Sequence, residues 1–304
     1  MQDNILQAIF TPGTFLNMFN SATVVALAGL GCLLTDQAGM MNIGLDGIML
    51  CGAFAGVIGS WLSGSWIVGV LCAICIGMLI GLFYGVMVIR WKSDEFIIGV
   101  ALNLFAVALT TFLLRSIDGA QSAGTFHPTT GFIDTIPKIH FGVLGGTELN
   151  LYLMVPVTFV LVILCQFFIY RTPYGFWLHA SGEHPDSLRS VGRSPEMMKY
   201  IGSIGCGFFC GLSGAYLSMG YSSTFSEGMT NSRGFIAVAC VIFGRSNPLL
   251  VFLAALLFGF IDAVALRMQG FVDRTLTDTF PYLGTLLMML VLALVQIRKR
   301  KRAA

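Results

Sequence analysis

Apolar residues in this chain come in long uninterrupted runs, and the breaks between the runs hold Gly, Pro and charge. Runs near the ~20 residues that cross a hydrocarbon core of about 30 Å predict membrane-spanning helices. Reading from break to break places spans at Phe15–Leu34, Gly39–Leu62, Ser65–Ile89, Phe96–Leu114, Leu151–Tyr170, Met198–Tyr221, Leu249–Leu266 and Phe280–Ile297. One further apolar segment, Gly234–Gly244, is short. As a helix it would reach only ~16 Å at about 1.5 Å per residue. It either has its ends buried in protein or in a water-filled cavity, as the broken helices of transporters do, or gains length from flanking residues such as Asn231 and Asn247.

Composition turns the pattern into a class. Of 304 residues 56% are apolar and 11% charged, against roughly 45–50% and about 25% in a soluble domain. An ordinary water-soluble enzyme is excluded, because one core of this composition would leave large apolar surfaces facing water. The expected fold is an all-α polytopic membrane helix bundle of about nine segments, one short or broken, forming a single transmembrane domain over 1–304. The net charge of +2 gives no reason to expect a nucleic-acid partner. The eight cysteines all fall in apolar runs, which argues against a disulfide framework or zinc site, and the Cys72/Cys75 CxxC has no second pair or His nearby. Met1–Thr14 holds no Lys or Arg, so the first run is read as a retained helix rather than a signal peptide.

Charge sets the orientation. The basic cluster Arg298, Lys299, Arg300, Lys301 and Arg302 is expected to lie in the cytoplasm, and nine crossings then put the N-terminus outside. This arrangement leaves twelve of the 17 Lys and Arg inside and five outside, as the positive-inside rule demands. The two larger loops fall on opposite sides. The outer one, 115–150, is expected to hold a short helix or a hairpin near a docking partner. The inner one, 171–197, carries stronger signals: Pro185 and Asp186 start a helix of about two turns that Gly192 stops, with Leu188 and Val191 on one face. Ser194-Pro195-Glu196 then launches the sixth span. Among the 36 glycines, Gly77, Gly81 and Gly85, Gly52 and Gly56, and Gly207 and Gly211 recur every fourth residue, marking flat stripes for close helix packing.

Polar residues inside the spans are the candidates for chemistry. Asn42 and Asp46 are four apart on one face of the second segment, and an ionised carboxylate at the depth of Asp46 needs a reason. It either walls a translocation path or caps a broken helix through backbone amides near Gly44 and Gly47. Asn103 and Asp262 pose the same question, with interhelical hydrogen bonding as the alternative to substrate contact. There is no GxxxxGK[ST] phosphate loop, no HExxH and no GxSxG, so this chain offers no Walker-type ATP site, zinc protease centre or serine nucleophile elbow.

Asp36-Gln-Ala-Gly-Met-Met-Asn-Ile-Gly-Leu-Asp-Gly-Ile-Met-Leu50 resembles the signature of permease subunits of bacterial ABC importers in the ribose and branched-chain amino acid class, nucleoside-type branch. Arg171-Thr-Pro-Tyr-Gly175 with Gly182-Glu-His-Pro185 and Gly192, then Gly234–Gly244, then Asn247-Pro248 with Ala254-Ala-Leu-Leu-Phe-Gly-Phe260, carry the same resemblance over about 22–270. The chain departs from the pattern in having Asp46 for Glu, His184 for Asn, and Ser187 and Leu188 for small residues. The resemblance implies a non-catalytic transport subunit in the bacterial inner membrane. It would bind no cofactor itself, with ATP and magnesium held by a cytoplasmic ATPase subunit. The other partners would be a second, different permease and an extracytoplasmic substrate-binding protein. Its coupling segment maps onto Gly182, Glu183, Pro185 and Gly192, and His184, Leu188 and Val191 between them are expected to take part in the docking; the polar span residues Asn42, Asp46, Asn103 and Asp262 are then the expected wall of the pathway. Nucleosides are the expected cargo. A simple sugar or flavin carried by the same mechanism, a stand-alone ion-coupled carrier using Asp46 and Asp262, and a membrane-embedded enzyme are the alternatives.

Overall fold

The computed structural model describes residues 11–118, 124–126, 135–144 and 147–268. The expected span Phe280–Ile297, the basic cluster Arg298–Arg302, His127 and Arg274 lie outside the described residues. Among the described residues the elements are α1 (Pro12–Gln37), α2 (Leu45–Ser63), α3 (Trp66–Gly85), α4 (Glu95–Asp118), a hairpin of β1 (Lys138–Leu144) and β2 (Thr147–Tyr152), α5 (Met154–Arg171), α6 (Pro173–Glu183), α7 (Pro185–Ser190), α8 (Pro195–Tyr216), α9 (Arg233–Gly244) and α10 (Pro248–Met268). Wide π turns at Val86–Arg90 and Leu217–Tyr221 end α3 and α8. Seven helices, namely α1 to α5, α8 and α10, are long and apolar enough to cross a membrane.

Burial sorts these helices into a centre and a rim. The most apolar stretch of α1 is 89% buried and that of α8 78%, whereas α3, α4, α5 and α10 stand at 22–39%. The rim helices present Leu71, Leu79, Phe83, Leu104, Phe105, Phe112, Ile163, Phe167, Leu253 and Leu257 outward, which is stable only against lipid or another subunit. The glycine stripes lie on inward faces, where one helix meets the next. A Cβ on Gly77 would sit 2.3 Å from the Gly207 carbonyl oxygen, and one on Gly81 2.5 Å from that of Ser203. The α3–α8 contact is thus backbone against backbone, and Ser203 adds a 2.6 Å hydrogen bond to the Gly81 carbonyl. Gly52 meets Gly211 in the same manner on the α2 side.

Four expectations are corrected here. The second segment is not helical from Gly39. The chain runs without helix from Ala38 to Gly44, and α2 starts at Leu45, so Asn42 and Asp46 do not share a helix face. The short segment gains no length from its flanks: Asn231 and Ser232 before it and Arg245 and Ser246 after it all have positive φ, which stops a right-handed helix at both ends. The inner loop holds two helices where the start and stop signals pointed to one, because Thr172 accepts the Gly175 amide at 3.3 Å and Pro173 opens an additional helix, α6. Finally, Leu188 is buried while Val191 is 72% exposed. The two do not share a face, since α7 ends at Ser190 and Val191 leaves the helical path before Gly192 turns at φ +77°. The loop expected over 115–150 does contain a hairpin, antiparallel with Lys138 opposite Tyr152, Ile139 opposite Leu151 and Leu144 opposite Thr147.

Candidate functional site

The candidate pathway residues Asn42, Asp46 and Asn103 gather where helices are interrupted. α1 ends at Gln37, and Gly39 turns the chain at φ +73° against Gly182 of α6, so closely that a Cβ on either glycine would fall 2.7 Å from the other's backbone. The non-helical stretch that follows leads to α2, and polar side chains from α3, α4 and the stretch itself serve its backbone. Glu95, at the start of α4, accepts the Met41 amide at 2.6 Å, and Tyr84 donates to the Met41 carbonyl at 3.3 Å. Asn42 accepts the Gly44 amide at 2.8 Å and donates to the Cys206 sulfur at 3.4 Å. Asn103 of α4 donates to the Ile43 carbonyl at 3.0 Å and accepts the Gly47 amide at 2.7 Å. In hydrocarbon each of these backbone groups would otherwise cost several kcal/mol.

Asp46 joins this break to the second one. Its Oδ1 accepts the Gly234 amide at 3.0 Å and its Oδ2 accepts the Thr230 hydroxyl at 2.9 Å. Asp46 therefore lies in the first turn of α2 while capping the first turn of α9, so one carboxylate serves two helix N-termini, where the aligned peptide dipoles favour negative charge. The expectation of a cap near Gly44 and Gly47 places the partner on the wrong segment: the amide it reaches belongs to Gly234, far along the chain. The 12 residues of α9 set this junction ~18 Å from the opposite end of that helix at about 1.5 Å per residue, little more than half of a 30 Å core. Asp46 and Asn103 are half-buried, whereas Asn42 is fully buried.

Asp262 belongs to a neighbouring group. It accepts a short hydrogen bond from Ser21 of α1 and stands 3.6 Å from the Arg233 guanidinium. Arg233 also donates to the Met229 carbonyl at 3.3 Å and lies over the Tyr221 ring at 5.6 Å. Arg233 immediately precedes Gly234, so both polar groups hold the same end of α9.

The opposite end of α9 is tied to α1. Ser246 donates a short hydrogen bond to Asp36, and Gln37 donates to the Ser246 carbonyl at 3.0 Å. These groups share a face of the bundle with Glu95, α6 and α7. In α6–α7, Glu183 stands 3.4 Å from His179 one turn back, and His184 links the two helices. Pro185 opens α7, Leu188 anchors it inward, and Glu183, His184, Val191 and Gly192 are exposed. Ser194 caps α8 by accepting the Met197 amide at 3.4 Å. Thr230, Ser246, Glu95 and Tyr84 were not singled out from the sequence. The only mark of Thr230, Ser246 and Glu95 there is polarity near a span end, and Tyr84 lies within an apolar run.

Comparison with known proteins agrees with this architecture. The chain is 33% identical to a putative glucose ABC transporter permease protein of Haloferax volcanii over 91% of this chain and 84% of that protein. It is 28% identical to a guanosine ABC transporter permease protein of Bacillus subtilis over 85% and 82% of the two chains. It is 29% identical to a nucleoside ABC transporter permease protein of Lactococcus lactis subsp. cremoris over 90% of each. No solved structure matches. The family model described as branched-chain amino acid transport system, permease component, matches residues 14–295, and the chain belongs to that family of ABC transporter permeases.

Proposed function

We propose that the chain forms the substrate path of an ATP-driven nucleoside importer. Two relatives named for nucleoside or guanosine transport match it over most of their length, and they support this cargo. The putative glucose permease, with the higher identity, supports a simple sugar as the second reading. In either case hydrolysis belongs to a cytoplasmic ATPase subunit, which holds ATP and magnesium, while a second permease and an extracytoplasmic binding protein complete the machine. The face bearing α6 and α7 is then cytoplasmic, and the N-terminus of α1 lies outside.

The observation that carries this reading is the continuous chain of contacts from α6 to Asp46. An ATPase gripping the exposed Glu183, His184 and Val191 moves α6. Gly182 bears directly on Gly39, so the end of α1 must follow. Asp36 and Gln37 hold Ser246, and α9 transmits the movement to Gly234, whose amide rests on Asp46. Both ends of α9 are two-residue left-handed turns of non-glycine residues, backbone states that cost about 1–3 kcal/mol each and can flip when a latch opens. Asp46 and Asn103, both half-buried, form the polar wall that cargo passes.

Affinity purification of the tagged chain from native membrane, followed by ATPase assay with and without nucleosides or glucose, tests the reading. Recovery of an ATPase and a second permease, with turnover raised by a nucleoside-loaded binding protein, is the expected result. Stimulation by glucose alone transfers the assignment to sugars. Transport by the chain alone in liposomes removes it.

A further inference from the structure

We propose that the permease holds an anionic phospholipid of the α6-side leaflet in a groove between α1, α5, α6 and α8. The groove encloses about 270 Å³ and is lined by Leu161, Cys165 and Phe168 of α5, Leu178 of α6, and Leu34 and Gly205 among others, with almost no polar surface. It runs inward from the level of the α5 and α1 C-termini, which places it in the hydrocarbon of that leaflet. A lipid tail is the apolar matter that fills such a recess in a membrane.

The charges at its mouth choose the headgroup. Arg171 lies one turn beyond Phe168 on α5, and Lys199 one turn before Gly202 on α8, which sets both at the end of the groove nearest the α5 C-terminus and the α8 N-terminus. Arg193 stacks over Trp177 at 4.2 Å, next to Leu178. Among the described residues none of these three cations forms an ion pair with a carboxylate. The neighbouring carboxylates are engaged elsewhere: Asp36 with Ser246, Glu95 with the Met41 amide, Glu183 facing His179, and Asp186 and Glu196 on Arg189. The Tyr174–Trp177 edge contact at 5.2 Å supplies the amphipathic aromatics typical of the headgroup level. An apolar slot under unpaired cations and interfacial aromatics fits one phosphatidylglycerol-type lipid better than a zwitterionic one. Because Leu178 of α6 forms part of the wall, the bound lipid would brace the helix that receives the ATPase.

Native mass spectrometry of the delipidated full chain tests this, titrated with palmitoyl-oleoyl phosphatidylglycerol and with phosphatidylcholine of the same chains. The wild type should retain the anionic lipid preferentially. Arg171→Gln and Arg193→Gln, at exposed positions, should each weaken that retention about fivefold without moving phosphatidylcholine. Cys165→Trp, which fills the slot, should lower retention of both lipids, with Leu161→Phe as the milder filling variant. Equal retention of the two lipids by wild type, or undiminished phosphatidylglycerol binding in the double arginine variant, overturns the proposal. So does a photoreactive benzoylphenylalanine at Leu164 that captures a protein subunit in native membrane, because the slot is then filled by protein.

Discussion

Two helix contacts in this bundle do the same geometrical job with opposite chemistry. At the α3–α8 seam, glycines bring backbones together until Gly77 and Gly207 each lack room for one methyl group. At the α2–α9 junction, side chains do the joining: Asp46 holds Gly234 and Thr230, and Asn103 holds Gly47 and Ile43. The seam cannot slide without overlapping atoms, because dispersion and repulsion are steep with distance. The junction can part and re-form, because a hydrogen bond lost to one partner is regained from water or cargo. A transporter needs both, and here the rigid contact lies at the α3–α8 seam and the exchangeable one at the segment proposed to move.

Substituting the seam should do most damage. Gly207→Leu forces a side chain into the Gly77 carbonyl, 2.2 Å from where its Cβ would lie, and folded protein should be lost from membranes. Size-exclusion profiles and membrane yield check this; a monodisperse, heat-stable variant would show the seam to be loose. At the junction, Asp46→Ala strands two donors in a low-dielectric site at about 1–3 kcal/mol. Uptake should fall more than tenfold while the protein still purifies, and Asp46→Asn, which keeps one acceptor, should lie between the two. Unchanged uptake by the alanine variant would remove Asp46 from the mechanism. Asn103→Ala loses a donor and an acceptor to backbone, for a melting change worth about 1–2 kcal/mol. Uptake should drop several-fold, and a larger loss than that of Asp46→Ala would reverse their order. Smallest of all, Ser246→Ala leaves the fold nearly as stable, since Gln37 still holds the Ser246 carbonyl. ATP turned over per nucleoside imported should nonetheless rise about twofold to fivefold, as a latch worth ~0.5–1 kcal/mol is removed. An unaltered ratio would cut Ser246 out of the route from α6 to Asp46.

Much of the architecture was legible before any coordinates. The apolar runs located the helices long enough to cross a membrane, the i, i+4 glycines marked the seam, and Ser194-Pro195-Glu196 started α8 at its actual N-cap. The short length of Gly234–Gly244 foretold a broken helix. What could not be read were the non-helical stretch from Ala38 to Gly44 and the partners of Asp46. An apolar run does not distinguish helix from buried extended chain when the hydrogen bonds that satisfy the latter come from Asn103, Glu95 and Tyr84 on other helices. The face of Leu188 failed for a related reason: three-residue spacing fixes a shared face only while both residues stay helical, and Val191 lies past the end of α7.

The sequence alone determined that this is a membrane bundle, roughly where the seven described membrane-length helices lie, and that Asp46 required a reason to exist. Composition and run length suffice for the first two, because transfer into lipid adds up residue by residue. Only the tertiary structure decided that Asp46 caps α9 across the bundle and that Gly182 leans on Gly39. Those contacts join segments remote in sequence, and nothing local in the chain encodes a hydrogen bond whose two halves meet only after the helices pack.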